Sequence, residues 1–170
     1  TRIIQSAFKK RLSELSEGEK VKFYGPLGGF VLHEEEKKEQ VFLAGGIGIT
    51  PFLSMLSYAD EKKLPLRITL FVSFSTIEDL FYKEKLEKIA QRNQDIKVVY
   101  TITKPEESKL AWSGETGRIS EALIKKYVTA PLEPLYYIVG PPAMVSTMEE
   151  LISKMGVADK DILTENFVGY

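Results

Sequence analysis

Gly45-Gly46-Ile47-Gly48-Ile49-Thr50-Pro51 directly follows the apolar run Val41-Phe42-Leu43-Ala44. Glycines let the backbone turn sharply and let a ligand come close to the main chain. Thr50 suits a helix N-cap and Pro51 the first helical position. A helix starting there presents free N–H groups and the positive end of its dipole, which is the chemistry that holds a phosphate. The spacing is not G-x-G-x-x-G, because proline stands at 51, and it is not a P-loop, because no Lys-Ser/Thr follows. A ligand-free tight turn is the alternative. Three glycines in four residues are conformationally costly for a turn alone, which favours the phosphate role.

Gly140-Pro141-Pro142-Ala143-Met144 follows a second apolar run, Tyr136-Tyr137-Ile138-Val139, and reads as another rigid loop opening a helix. Met144, Val145, Met148, Leu151, Ile152 and Met155 form a helical stripe that belongs in a core, with Met144 in the first turn facing a cleft. Ser73-Phe74-Ser75-Thr76 follows a third run. Ser75 with Glu78 makes a capping box, while the functional reading of Ser73 and Ser75 is an adenosine-ribose pocket. A 2′-phosphate would want Arg or Lys in this loop, and neither is present. The C-terminal Glu165-Asn166-Phe167-Val168-Gly169-Tyr170 is either an exposed tail or a carboxylate and a ring brought into the cleft.

Other chemistries fall away. The chain has no cysteine, so disulfides, thiol nucleophiles and thiolate-held clusters are excluded within it. The single histidine, His33, excludes a multi-histidine metal site and a Ser/His/Asp set, and it reads as the edge of a loop without catalytic duty. No metal site is expected. Glu106, Glu107 and Glu115 read as solvated loop residues and Trp112 as a packing anchor. The 23 Lys and Arg against 24 Asp and Glu leave a net charge of −1, with no basic field for nucleic acid or an anionic membrane.

These loops need elements to position them. The 170 residues suit one domain, or one domain with a piece of another. Thr1 to Leu32 reads as the tail end of a β-rich unit. It has a short extended piece at Arg2–Ile4, a helix capped by Ser6 running to about Leu15, a strand at Lys20–Tyr24, a Gly25-Pro26-Leu27-Gly28-Gly29 turn, and extended structure at Phe30–Leu32. The charge run Glu34 to Glu39 reads as a solvated loop. From Gln40 strands and helices alternate. Strands are expected at Gln40–Ala44, Arg67–Phe74, Ile96–Ile102, Leu135–Val139 and Asp161–Thr164. Helices are expected at about Pro51–Glu61, Ile77–Gln91, Glu121–Tyr127 and Pro142–Met155. This predicts an α/β fold, a doubly wound five-stranded parallel sheet in the order 3-2-1-4-5. The first and fourth strands would flank the switch-point crevice, with both glycine loops at its edge. The charge-free stretch Val41 to Ala59 matches a membrane span in length, but its glycines, Pro51 and serines read instead as strand, turn and helix, so no membrane insertion is expected. With no secretion signal read, the expected compartment is the cytoplasm.

The three motifs, Gly45–Pro51, Gly140–Met144 and Glu165-Asn166-Phe167, resemble in order and spacing the ferredoxin–NADP reductase superfamily, its bacterial flavin-dependent NAD(P)H reductase branch above all. The resemblance covers essentially the whole chain. Residues 1–36 are similar to the C-terminal remnant of the family's antiparallel FAD-binding barrel, with its Ser-Ala-Phe-Lys helix start and Gly-Pro-Leu-Gly-Gly-Phe turn, and residues 37–170 to the NAD(P)-binding domain. The family's Arg-x-Tyr/Phe-Ser/Thr flavin signature is not in this chain.

The resemblance implies an oxidoreductase that passes hydride from NAD(P)H to FAD and then electrons to a protein or small acceptor. It places the pyrophosphate on Gly46, Gly48, Ile49, Thr50 and Pro51 beside Gly45, and the nicotinamide near Gly140, Pro141, Pro142 and Met144. It makes Glu165 the carboxylate near the nicotinamide, Phe167 the ring over the flavin, and Ser6 a donor to the flavin pyrophosphate. Val139 stands where the family often has cysteine. The alternative is a non-catalytic NAD(P)-binding sensor or electron-transfer subunit domain.

Overall fold

The computed structural model describes residues 6–25, 27–35 and 39–168. The expectations for Arg2–Ile4, for Pro26 within the first turn, for residues 36–38 of the charge run and for Gly169 and Tyr170 lie outside them. Among the described residues the sheet has six strands: β1 (Gln40–Gly45), β2 (Ile68–Phe74), β3 (Ile96–Ile102), β4 (Glu115–Thr116), β5 (Leu135–Gly140) and β6 (Ile162–Asn166). All pairings are parallel, and the order is β4-β3-β2-β1-β5-β6. The expected five-strand order is retained, with one addition. The two-residue β4 joins the free edge of β3, in a loop read from sequence as solvated. It is too short to show a periodicity. Glu115 is held there by Lys126 Nζ at 2.6 Å and by the Tyr127 hydroxyl at 2.5 Å, and Trp112 Nε1 donates to its carbonyl at 2.7 Å.

The sheet is covered on both faces, which is why β1 after Gln40, and all of β5, is an apolar run. Helix α2 (Ile49–Lys62) and helix α3 (Lys83–Arg92) cover one face. There Phe42, Leu70, Val72 and Tyr137 pack with Phe52, Leu56 and Leu86, and the Phe42 and Phe52 rings stack at 4.5 Å. Helix α4 (Glu121–Tyr127) and helix α5 (Pro142–Met155) cover the other face. Val41, Leu43, Tyr136 and Ile138 pack there against Ile124, Val145, Met148 and Ile152, so the methionine stripe is core as expected. An ion pair between Arg92 and Asp60 ties α3 to α2. Residues 41–59 form strand, turn and helix, and no helix among the described residues is long and apolar enough to cross a membrane.

Several local expectations change. Thr50 is not the N-cap and Pro51 is not the first helical residue. A 3₁₀ turn at Gly46–Gly48 carries the chain into α2, whose N-cap is Gly48, and the Thr50 hydroxyl donates to the Ile47 carbonyl at 3.0 Å. The helix expected over Ile77–Gln91 is a 3₁₀ turn, Ile77–Asp79, then a break, then α3. The Ser75–Glu78 capping box does not form. Thr76 precedes the turn, Ser108 Oγ accepts from the Ile77 N–H at 3.1 Å, and the Glu78 carboxylate accepts from the Lys109 N–H at 2.8 Å.

The N-terminal part holds a short helix α1 (Ala7–Ser13), capped by Ser6, whose Oγ accepts from the Lys9 N–H at 3.5 Å. It ends before Leu15 and buries no residue, and Phe8 stays 74% exposed. Lys20–Tyr24 and Phe30–Leu32 have no ladder partner among the described residues. Phe30 packs instead on Phe52 and Tyr137, at 6.1 and 5.5 Å between centroids. His33 is half-buried, at the edge where the exposed Glu34 and Glu35 begin. Its N–H donates to the Tyr137 hydroxyl at 3.2 Å, and Gln40 Nε2 donates to its carbonyl at 2.7 Å.

Gly48 has an ordinary helical φ of −56°, so conformation does not require glycine there. Space does: a Cβ would collide with the Val139 carbonyl oxygen and stand 2.7 Å from its carbon. Gly48→Ala is expected to destabilise the fold by about 1–3 kcal/mol, the usual cost of overpacking. Urea denaturation reads this as a lower midpoint, and an unchanged midpoint would show that the turn can move aside.

Candidate functional site

The candidate site lies at the carboxyl end of the sheet. The chain leaves β1 toward β2 on one side, while β5 lies on the other, so the crevice between β1 and β5 is the topological switch point where ligands of such sheets bind. The C-terminal ends of β1 and β5 meet there almost backbone to backbone. A Cβ at Gly45 would collide with the Met144 sulfur, and one at Gly140 would stand 2.7 Å from it. The thioether therefore covers two glycines at once. Phe167 N–H donates to the Gly140 carbonyl at 2.9 Å, which fixes the loop from the β6 side.

Two 14-residue helices begin at this crevice, α2 after Gly48 and α5 after Pro141. Neither has a side-chain cap or an acid in its first turn. Helices α1 and α4 are capped instead by Ser6 and Ser120. Uncapped N–H groups and a positive dipole end suit an anion. Gly46 sits between them at φ +53°, where a Cβ would meet nothing within 4 Å. Its missing side chain leaves a cradle open to a ligand. The residues present thus fit a dinucleotide's pyrophosphate.

A cavity of about 270 Å³ opens beside this cradle. Of the residues singled out from sequence, it brings together Gly45, Gly46, Ser73, Ser75, Pro141 and Met144. Ile47 and Phe74, which lie inside two of the motifs, and Asp79, Phe81 and Thr103, which the sequence reading did not include, complete its lining. Thr103 enters because its N–H donates to the Phe74 carbonyl at 2.9 Å, extending the β2–β3 ladder past the strand ends. One acid and no base line the cavity. The other predicted residues stand elsewhere. Gly48, Ile49, Thr50 and Pro51 form the floor and first turn behind the cradle, with Gly48 and Ile49 buried. Gly140 is buried at the loop's root, and Pro142 begins α5. Glu165 lies within β6 opposite Val139, half-buried, and so is not an exposed tail. Phe167 packs against the α2-side core. Ser6 caps α1 and does not line the cavity.

Carboxylates fasten the segments that follow β2 and β3. Its own N–H and that of Lys109 hold the exposed Glu78 carboxyl below its ordinary range, and the Thr76 hydroxyl bonds Asp79 at 3.1 Å. Glu115 is held low likewise by Lys126 and Tyr127.

This fold and crevice define a class, the α/β domains that bind a dinucleotide at the switch point of a parallel sheet. Residues 42–150 match the family model for the oxidoreductase NAD-binding domain. The chain belongs to that family, within the ferredoxin–NADP reductase superfamily. It is similar to a subunit of the Na(+)-translocating NADH-quinone reductase of Klebsiella pneumoniae, 32% identical over 164 residues, covering 91% of this chain and 39% of that protein. The corresponding Marinomonas protein is 29% identical over 160 residues, covering 91% and 38%. The chain thus spans about two-fifths of the length of these curated relatives. Among solved structures, the CS-b5R domains of human Ncb5or, in an NAD+ form, superpose with a TM-score of 0.79 at 26% identity, over 94% of this chain and 46% of that one. A ferredoxin NADP+ reductase from Neisseria gonorrhoeae with bound FAD and NADP shares the fold, with a TM-score of 0.76 at 24% identity, over 96% and 71%.

Because the Glu78 pKa is lowered in the fold, its stabilising contribution is present above the ordinary carboxylate range and is lost as pH falls through the depressed value. Glu78→Ala is therefore expected to speed hydrogen exchange of the Lys109 amide at neutral pH. Below the carboxylate range the two proteins should exchange alike. Equal rates at neutral pH would refute the anchoring role.

Proposed function

We propose that this chain is the nicotinamide-dinucleotide-binding unit of a flavoprotein reductase that carries electrons from NAD(P)H through FAD to a further acceptor. The observation that carries this reading is the cradle at Gly46, open and left-handed, set between two uncapped helix starts at the switch point. The family match and the resemblance to proteins named as parts of NADH-quinone reductases support it.

In this reading Gly45, Gly46 and the turn through Pro51 bind the pyrophosphate through main-chain N–H groups. Gly48 and Ile49 hold that turn against β5. Ser73 and Ser75 take the adenosine ribose, and Asp79 beside them accepts from its hydroxyls. An acid-lined, base-free cavity disfavours a 2′-phosphate, so NADH is the preferred nucleotide. Met144, pinned over Gly45 and Gly140, orients the nicotinamide with Pro141 and Pro142. Glu165 supplies a carboxylate near the ring, and Phe167 presents an aromatic face toward the flavin. Ser6 offers its hydroxyl to the flavin side. FAD, when bound, accepts an electron pair as hydride and releases electrons singly, and the protein's part is to orient the partners and exclude water. In this reading residues 1–36 are the end of the flavin-binding segment and residues 37–170 the nucleotide-binding unit, and Phe30 and His33 pack the first onto Tyr137 of the second.

Val139 favours a second reading, a nucleotide-binding domain without chemistry of its own. Its side chain is fully buried in the core, so no thiol faces the nicotinamide from this position. Supplying FAD separates the two. The reductase reading predicts NADH-driven reduction of ferricyanide by the FAD-containing protein, and the binding-module reading predicts none.

Calorimetric titration with NADH tests the site itself. Gly46→Val is expected to weaken binding by about tenfold or more, the loss of roughly 1.4 kcal/mol or more of ligand interaction. The strain of a side chain at this φ costs about 1–2 kcal/mol of stability, small enough for the fold to persist. Unchanged affinity in a folded Gly46→Val protein would sink the assignment. NADPH binding tighter than NADH would refute the nucleotide preference.

A further inference from the structure

Leu80-Phe81-Tyr82 breaks a stretch whose sequence suits one continuous helix, and no glycine or proline stands there to demand a break. The backbone instead makes a tight turn. Leu80 has φ −69° and ψ 74°, and the Phe81 N–H donates to the Asp79 carbonyl at 2.7 Å, the geometry of an inverse γ-turn. Tyr82 then takes φ +61°, a left-handed conformation that costs a bulky residue about 1–2 kcal/mol. Strain of this kind persists where the surroundings enforce it, and it gathers at ligand sites.

The break sets Phe81 at the mouth of the cavity. Its ring is 44% exposed, although it lines the same cavity as Ser75, Asp79 and Thr103. Phe74, 3% exposed, supports it edge to face at 5.9 Å and 75°. The cavity therefore has an anion end at the glycine cradle and an aromatic, hydroxyl-bearing and acidic end at Phe81. The second end does not suit a phosphate. It suits a flat, uncharged heterocycle attached to a hydroxyl-rich sugar.

We infer that Phe81 is the stacking platform for the purine ring of the bound dinucleotide, and that the broken turn before α3 serves to deliver it. This rests on the reading of the crevice as a dinucleotide site. The helical alternative would carry position 81 on along a continuous helix, without the turn that now presents its ring beside Phe74. Phe81 acts in binding and positioning and takes no part in electron transfer.

The test is calorimetric titration of the chain with ADP-ribose and, separately, with nicotinamide mononucleotide. For Phe81→Ala the expected result is ADP-ribose binding weakened about five- to a hundredfold, the usual range for losing one aromatic–base stack. Nicotinamide mononucleotide binding should be unchanged. Phe81→Tyr keeps the ring and should restore ADP-ribose binding, and circular dichroism confirms that each variant is folded. ADP-ribose binding by folded Phe81→Ala equal to wild type overturns the inference. So does an equal loss for both ligands, or a folded Phe81→Tyr that behaves like the alanine variant. If the wild-type chain binds neither NADH nor ADP-ribose, the dinucleotide reading itself falls. If it binds both and Phe81→Ala changes nothing, only the stacking role falls.

Discussion

The structure turns on the close approach of two strand ends. β1 and β5 run side by side to Gly45 and Gly140, and the turn that leaves β1 lies against the main chain of β5. A side chain at 48 would push these backbones apart, and one at 45 or 140 would displace the Met144 thioether that lies over them. Protein interiors cannot absorb such a shift without loss, because they are packed as densely as organic crystals. The three glycines therefore hold the two helix starts beside one another. Met144 closes the contact from above, and its flexible thioether fills the groove that their missing side chains leave.

Electrostatics follows from that geometry. A helix start attracts an anion only while nothing else has satisfied it. α2 and α5 leave their first N–H groups without a side-chain partner, and neither has an acid in its first turn. The Thr50 hydroxyl, which sequence suggested as a cap, donates backward to Ile47. Asp79 lies at the other end of the cavity, among Ser75, Phe81 and Thr103. Opposite chemical characters thus occupy the two ends of one cavity, as a molecule with a charged middle and an uncharged, sugar-bearing end requires.

Much of this was legible in the residues. Tyr136-Tyr137-Ile138-Val139 reads as a doubly covered strand because it has no polar alternation, and all four residues are buried. The strand order came with the doubly wound class, and that order put both glycine loops at one crevice. What escaped was local. A two-residue strand such as Glu115–Thr116 carries no period and is defined only by the edge it joins. Helical spacing ran straight through Leu80-Phe81-Tyr82, because the γ-turn there is imposed by tertiary contacts and leaves no mark in composition. Phe81 and Thr103 were missed for the same reason. They reach the cavity through ladder extension and a broken helix, and sequence spacing does not encode either.

Tyr137 links the two parts of the molecule. Its ring forms part of the α2-side core, and its hydroxyl receives the His33 N–H while Phe30 packs edge-on against the ring. Three residues farther along the same strand is Gly140, at the root of the crevice. The N-terminal segment is therefore registered on the strand that also sets the loop of Gly140-Pro141-Pro142. Strands in a fully covered parallel sheet are held by ladders on both sides and packing on both faces, so β5 is a rigid ruler. A group carried by the N-terminal part and a ligand lying at the crevice would each be positioned against one stiff element, without a flexible joint between them. The exposed apolar residues Phe8, Phe23, Tyr24 and Leu27 lie upstream of that anchor, outside the packing that holds Phe30. Phe30 is thus where the N-terminal part takes its hold on β5, through Tyr137, and on α2, through Phe52.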